Sequence, residues 1–174
     1  MKLVRRVLDT MLTRHEPYPA WVGSRGFRFI ASNRAAEALF PGLCSLSPAD
    51  IVDLWFGPGP FRDVVENWQD VVEVGLAALR REAARESDPA LTDLVRRAER
   101  HAGELPGPRA DLIAELPLVC PTWNLGGRRI RTLSTVMRFD TAVEVTASEL
   151  RVELMFPADD ASDAYFREVA GRAP

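Results

Sequence analysis

Histidine and cysteine are scarce in this 174-residue chain, at two each. Cys44 and Cys120 are too few for a disulfide framework, so the expected compartment is a reducing cytoplasm. Small apolar packing explains both thiols better than nucleophilic roles, which need a lowered thiol pKa and a nearby base. His15 and His101, scattered with those cysteines, have no zinc-ligand spacing, and neither a Gly-x-Ser-x-Gly elbow nor a phosphate loop is present. The expectation is therefore a protein that is not an enzyme and has neither cofactor nor metal. His101 falls in the charged run Arg96 to Glu104 and reads as a solvated surface residue, and His15 reads as a helix-end residue. Long apolar runs are missing too. No stretch reaches the length of a membrane span, and the N-terminus lacks the apolar core of a signal peptide. Lys2 is the single lysine, and the formal charge of -3 leaves no dense cationic face for gripping nucleic acid directly.

What is there reads as a globular protein: 47% hydrophobic and 27% charged residues, with length for one domain and its core. Met1 to Thr13 is an amphipathic helix with Leu3, Val7, Leu8, Met11 and Leu12 on one side. Two short apolar segments around Ser24-Arg25-Gly26 carry Trp21, Phe27, Phe29 and Ile30 and predict a hairpin. Asn33 then caps a short helix, and Ser47 with Pro48 and Asp50 opens another with a near capping box. This strand–turn–strand–helix order is how PAS-like sensor domains begin. Phe61, Val64, Val65, Trp68, Val71, Val72, Leu76 and Leu79 repeat at helical spacing and predict one long helix from Phe61 to about Arg85. Asp88 with Pro89 starts the next, with Leu91, Leu94, Val95 and Ala98 inward and Arg96, Arg97, Glu99 and Arg100 outward.

Beyond the loop at Gly103 to Pro108 the pattern changes. Leu116 to Trp123, Arg128 to Phe139 and Glu149 to Phe156 are strand-like, the last alternating as a half-buried antiparallel strand would. Pro157 ends it, and Asp159 or Asp160 can cap a final helix with Tyr165, Phe166 and Val169. The fold class is α+β, a PAS-like antiparallel sheet covered by several helices with flanking N- and C-terminal helices. The expected division is 1–14 as a linker or dimerisation helix, 15–158 as the ligand-binding domain, and 159–174 as a C-terminal helix and tail.

The segments HEPYPAWV, ASNRAAEALF, VENWQDVVEVGLAALRREA, IRTLSTVMRFDTAVEVT and ELRVELMFPADDASDAYF resemble, in order, the ligand-binding domain of MmyB-like transcription regulators. The resemblance runs from about His15 to Phe166. It implies a PAS-like fold, a mainly apolar cavity for a fatty-acid-like molecule, and a homodimeric bacterial parent. DNA is contacted in that family through a helix-turn-helix of the XRE type, absent from this sequence, and Met1 to Thr13 would correspond to the helix that links it to the sensor. The expected cavity-lining residues are Trp21, Phe29, Trp55, Phe61, Val65, Trp68, Leu133 and Phe139, because they sit on the elements that bound such an interior. For any one tryptophan, core filling is the better reading. Arg131, Arg138 and Asn124 are candidate anchors for a carboxylate head group. The competing readings are an interaction module with a filled core and, further off, a small enzyme acting on a hydrophobic substrate.

Overall fold

In a computed structural model of the chain, residues 2–24, 26–86, 88–103, 120–138 and 150–172 are described. The architecture is the α+β one expected from the residue pattern. Its antiparallel strands β1 (Ala20–Ser24), β2 (Arg28–Ser32), β3 (Thr122–Leu125), β4 (Arg128–Arg138) and β5 (Arg151–Pro157) pair in the order β2-β1-β5-β4-β3. The described helices are α1 (Lys2–Arg14), α2 (Arg34–Leu39), α3 (Pro48–Phe56), α4 (Pro60–Val64), α5 (Trp68–Glu86), α6 (Pro89–Ala102) and α7 (Asp160–Arg172). The chain divides into two compact units, Met1–Leu46 with Thr132–Pro174, and Ser47–Arg131.

The first unit is built on sheet. In α1, Leu8 and Leu12 are buried against Ala20, Val22, Leu150 and Val152, with Val4, Met11, Ala31 and Leu154 beside them. Each such leucine contributes about 1.5–3 kcal/mol by leaving water. This contact uses one side of the helix and leaves Leu3 and Val7 exposed. The β1–β2 hairpin is bulged between Val22 and Gly23 and turns through Gly26 (φ 66°) and Phe27 (φ 61°). Asn33, at the end of that hairpin, is the junction of the unit. Its Oδ1 accepts from the Ala20 and Ala36 amides (3.0 and 2.9 Å), and its Nδ2 donates to the Leu12 and Tyr18 carbonyls (3.3 and 2.8 Å). Those four bonds cap α2 and bind it to α1 and β1 at once. At the other end, Asp159 accepts from the Ser162 amide at 2.8 Å and opens α7, and Tyr18 donates to Asp163.

The second unit is mostly helical. The capping box at Ser47 and Asp50 forms with both bonds present. Ile51, Val52 and Phe56 of α3, Val72, Leu76 and Leu79 of α5, and Leu91, Ala98 and Ala102 of α6 are buried. Gly75 of α5 faces Phe56, where a Cβ would stand at ordinary contact distance, 3.4 Å from Phe56 Cζ. The single helix expected over Phe61 to Arg85 is instead two. Val65 leaves helical geometry to bridge Trp123, the Glu66 amide donates to the Thr122 carbonyl at 2.8 Å, and Asn67 clasps the Cys120 carbonyl and the Thr122 amide. Periodicity was preserved across the break, so the apolar stripe gave no sign of it. The expected loop after Gly103, the strand residues 116–119 and the strand end at Phe139 lie outside the described residues.

Candidate ligand-binding faces

In the sheet unit, strand alternation places Trp21, Phe29, Glu153, Met155 and Ser134 on the face away from α1. Trp21 is 2% exposed and meets Phe29 and Phe40 edge-on, each at 6.1 Å between centroids. Its indole Nε1 donates to Glu153 Oε2 at 3.0 Å, and the Ser134 hydroxyl also bonds that carboxyl group. Burial of the carboxyl pushes its pKa up, against the lowering effect of the two hydrogen bonds. Glu153 retains some exposed surface as a residue, but its acid end is surrounded by protein. The half-buried reading of β5 is thus corrected. Val152 and Leu154 face α1, while Met155, 2% exposed, is buried on the other side with Glu153.

In the helical unit the aromatic residues form a stack. Trp55 and Phe61 lie parallel (5.3 Å, 12°), and Phe61 stands edge-on to Trp123 (5.5 Å, 86°). Trp68 Nε1 donates to the Trp55 carbonyl at 3.0 Å, and the Arg62 guanidinium lies 4.3 Å above the Trp68 ring. Phe61, Val65, Trp68 and Trp123 are buried, as core-filling side chains would be.

Of the eight residues expected to line a cavity, the structure thus brings together Trp21 and Phe29 in one unit and Trp55, Phe61, Val65 and Trp68 in the other. Leu133 pairs with Phe156 on the α1 side of the sheet, opposite to Trp21, and is 39% exposed. Phe139 lies outside the described residues. Asn124, Arg131 and Arg138 are exposed. Sequence reasoning missed Glu153, because in a strand reading Leu-Arg-Val-Glu-Leu a glutamate is naturally assigned to solvent.

A second polar centre was also missed. Asp53 on α3 binds Arg97 of α6 in a bidentate pair and accepts from His101 Nε2 at 2.6 Å. The Arg97 hydrogen bonds lower Asp53 to about 2, against a smaller opposing effect of burial and with help from His101. The expectation that His101 and Arg97 are solvated is corrected accordingly: both are partly buried in a clasp between two helices. Gly57 ends α3 beside it, where a Cβ would fall 2.5 Å from the Asp53 carbonyl oxygen. His15 is likewise engaged, its Nε2 2.8 Å from the Met155 carbonyl and its ring edge-on to Phe156 at 4.8 Å.

Finally, the sheet unit has a pocket of about 190 Å³ between α2 and α7, lined by Pro17, Ala35, Ala38, Leu39, Tyr165, Phe166 and their neighbours. None of the eight expected residues lines it. Among the described residues no helix is long and apolar enough to cross a membrane, and no cluster of histidine, cysteine, aspartate and glutamate is arranged to hold a metal.

The family model for the MmyB-like transcription regulator ligand binding domain matches residues 4–169. The chain belongs to that family, which is regulatory and not catalytic. Neither the curated proteins nor the solved structures contain a match.

Proposed function

We propose that this chain is the sensing part of a bacterial transcription regulator. It takes up a small apolar or amphipathic molecule, fatty-acid-like in character, in a PAS-like cavity and relays occupancy through a homodimer. The proposed lining remains Trp21, Phe29, Trp55, Phe61, Val65, Trp68, Leu133 and Phe139, and DNA contact belongs to a helix-turn-helix domain. The observation that carries the reading is the sheet face of Trp21 and Phe29. There, aromatic walls and a carboxyl group meet inside a chain whose family is a ligand-binding one. Apolar burial at about 25 cal/mol per Å² gives useful affinity to an acyl chain with few polar contacts.

Native mass spectrometry of the purified protein, with titration of medium-chain fatty acids against tryptophan fluorescence, tests it. Expected are a co-purified or saturably bound ligand, a dimer mass, and altered binding in Trp68→Ala. The near-complete burial of Trp123 (2% exposed) and Phe61 (3%) favours a second reading, an interaction or dimerisation module with a filled core. A dimer with no saturable response to any apolar ligand would select it.

A further inference from the structure

The pocket between α2 and α7 is a site of its own, and the inference drawn from it stands independently of the proposal above. Its walls come from α2 (Ala35, Ala38, Leu39), α7 (Tyr165, Phe166, Val169, Ala170) and Pro17. Three alanines leave the space that larger side chains would fill. Phe166 is 5% exposed, with the Tyr18 ring edge-on to it at 6.2 Å and Tyr165 edge-on at 5.6 Å, so an aromatic surface is fixed in place. The volume of about 190 Å³ lies near the roughly 150 Å³ that holds a benzene in an engineered apolar cavity, and below the roughly 300 Å³ where pockets for drug-sized ligands begin. A single ring or a short branched alkyl group fits, whereas a long acyl chain does not.

Charge narrows the class further. The charged lining residues are Glu16 and Arg34, one of each sign. Glu16 is held rigidly, because its Oε1 accepts from the Arg34 amide at 2.8 Å and the Ala35 amide at 3.4 Å. An anion drawn to the guanidinium meets that fixed carboxylate, and a cation drawn to the carboxylate meets the guanidinium. A molecule without net charge meets neither penalty. We propose that the α2–α7 pocket is a binding site for a small uncharged apolar molecule of about one aromatic ring in size.

The test is a titration of the whole chain with toluene, phenol and benzoate, read by NMR on the methyl groups of Ala35, Ala38 and Val169. Expected are saturable shifts of those methyls with toluene and phenol, and binding of benzoate at least tenfold weaker. Ala38→Leu and Ala170→Leu, which fill the pocket from opposite walls, should each abolish the shifts while circular dichroism reports a folded chain. Should one of them fail to fold, the other decides. The proposal is overturned by absent or non-saturating shifts with toluene, by shifts that survive in a folded filled variant, or by benzoate binding as well as toluene. It is also overturned by methyl shifts that follow protein concentration without any ligand, which would put a second copy of the chain in the pocket. Fatty-acid titration read at tryptophan fluorescence reports on the aromatic faces alone, so failure there and failure here are separable.

Discussion

Glu153 in the sheet unit and Asp53 in the helical unit are two carboxyl groups displaced from their ordinary state in opposite directions. Glu153 is pushed up by burial and has an indole and a hydroxyl as partners. Asp53 is held down at about 2 by a guanidinium, with an imidazole alongside. Burying an acid without a cation costs stability, while a partly exposed acid gripped by a cation adds some. The comparison separates two uses of charge. The helical unit uses its acid as a clasp between α3 and α6, a structural part. The sheet unit keeps its acid on an aromatic face where folding gains nothing from ionisation, as groups reserved for function often are.

The asparagines sharpen this contrast, with the largest expected effect. Asn33 is 6% exposed and makes four side-chain bonds, whereas Asn67 is half-buried and makes two. Asn33→Ala should cost about 3 kcal/mol, through two orphaned carbonyls, a lost cap and a lost tie to β1, and Asn67→Ala about 1–2 kcal/mol. Urea denaturation measures both, and equal losses would break the comparison.

Next comes Glu153→Gln, which keeps an acceptor for Trp21. Because the folded value of Glu153 is raised, the unfolded chain gives up its proton first as pH climbs past the ordinary carboxylate range. Wild-type stability should therefore fall from about pH 4 towards neutrality by this group's share. The Gln variant should match wild type near pH 4 and exceed it at neutral pH in thermal melts. A variant that is less stable at neutral pH would show that the carboxylate is needed there as an ion.

For Asp53 the sign is reversed. Its folded value is lowered, so its contribution is complete above about pH 5 and is lost as pH falls towards about 2. With 36% of the side chain exposed, solvent screening limits the effect to about 1 kcal/mol. Asp53→Asn should flatten the acid limb of the stability profile by that amount. The smallest effect belongs to Arg96→Ala, which removes an exposed pair with Asp93 and should change stability by less than about 0.5 kcal/mol. Arg97→Ala, one residue on, should exceed it.

Much of the fold was legible because it rests on local chemistry. Asn33, the Ser47–Asp50 box, Asp88 and Asp159 announce helix starts through their own hydrogen bonds, Pro48 and Pro89 do so through a fixed φ, and the alternation in β5 and periodicity in α5 announce strand and helix. What escaped depended on partners distant in sequence. Val65 to Asn67 break the helix for the sake of Thr122 and Trp123, more than fifty residues away. Asp53 meets His101 across forty-eight positions, and Glu153 meets Trp21 across one hundred and thirty-two. The candidate aromatic residues could be picked out by type, but their distribution between two units could not. The α2–α7 pocket is lined by alanines, which look like ordinary helix formers in a sequence.

The junction at Asn33 also bears on how the protein ages. Asparagine loses its amide when the backbone nitrogen of the next residue attacks the side-chain carbonyl carbon to close a succinimide ring. Here that nitrogen belongs to Arg34, and its N–H is committed to Glu16 Oε1 at 2.8 Å. The Asn33 amide is itself pinned by four bonds. In the folded chain neither reactant can swing into position, so the same contacts that assemble the sheet unit shield its most important side chain from spontaneous conversion to aspartate. The reaction opens only in molecules that have let go of α2, and its slow accumulation would serve as a clock for how often they do.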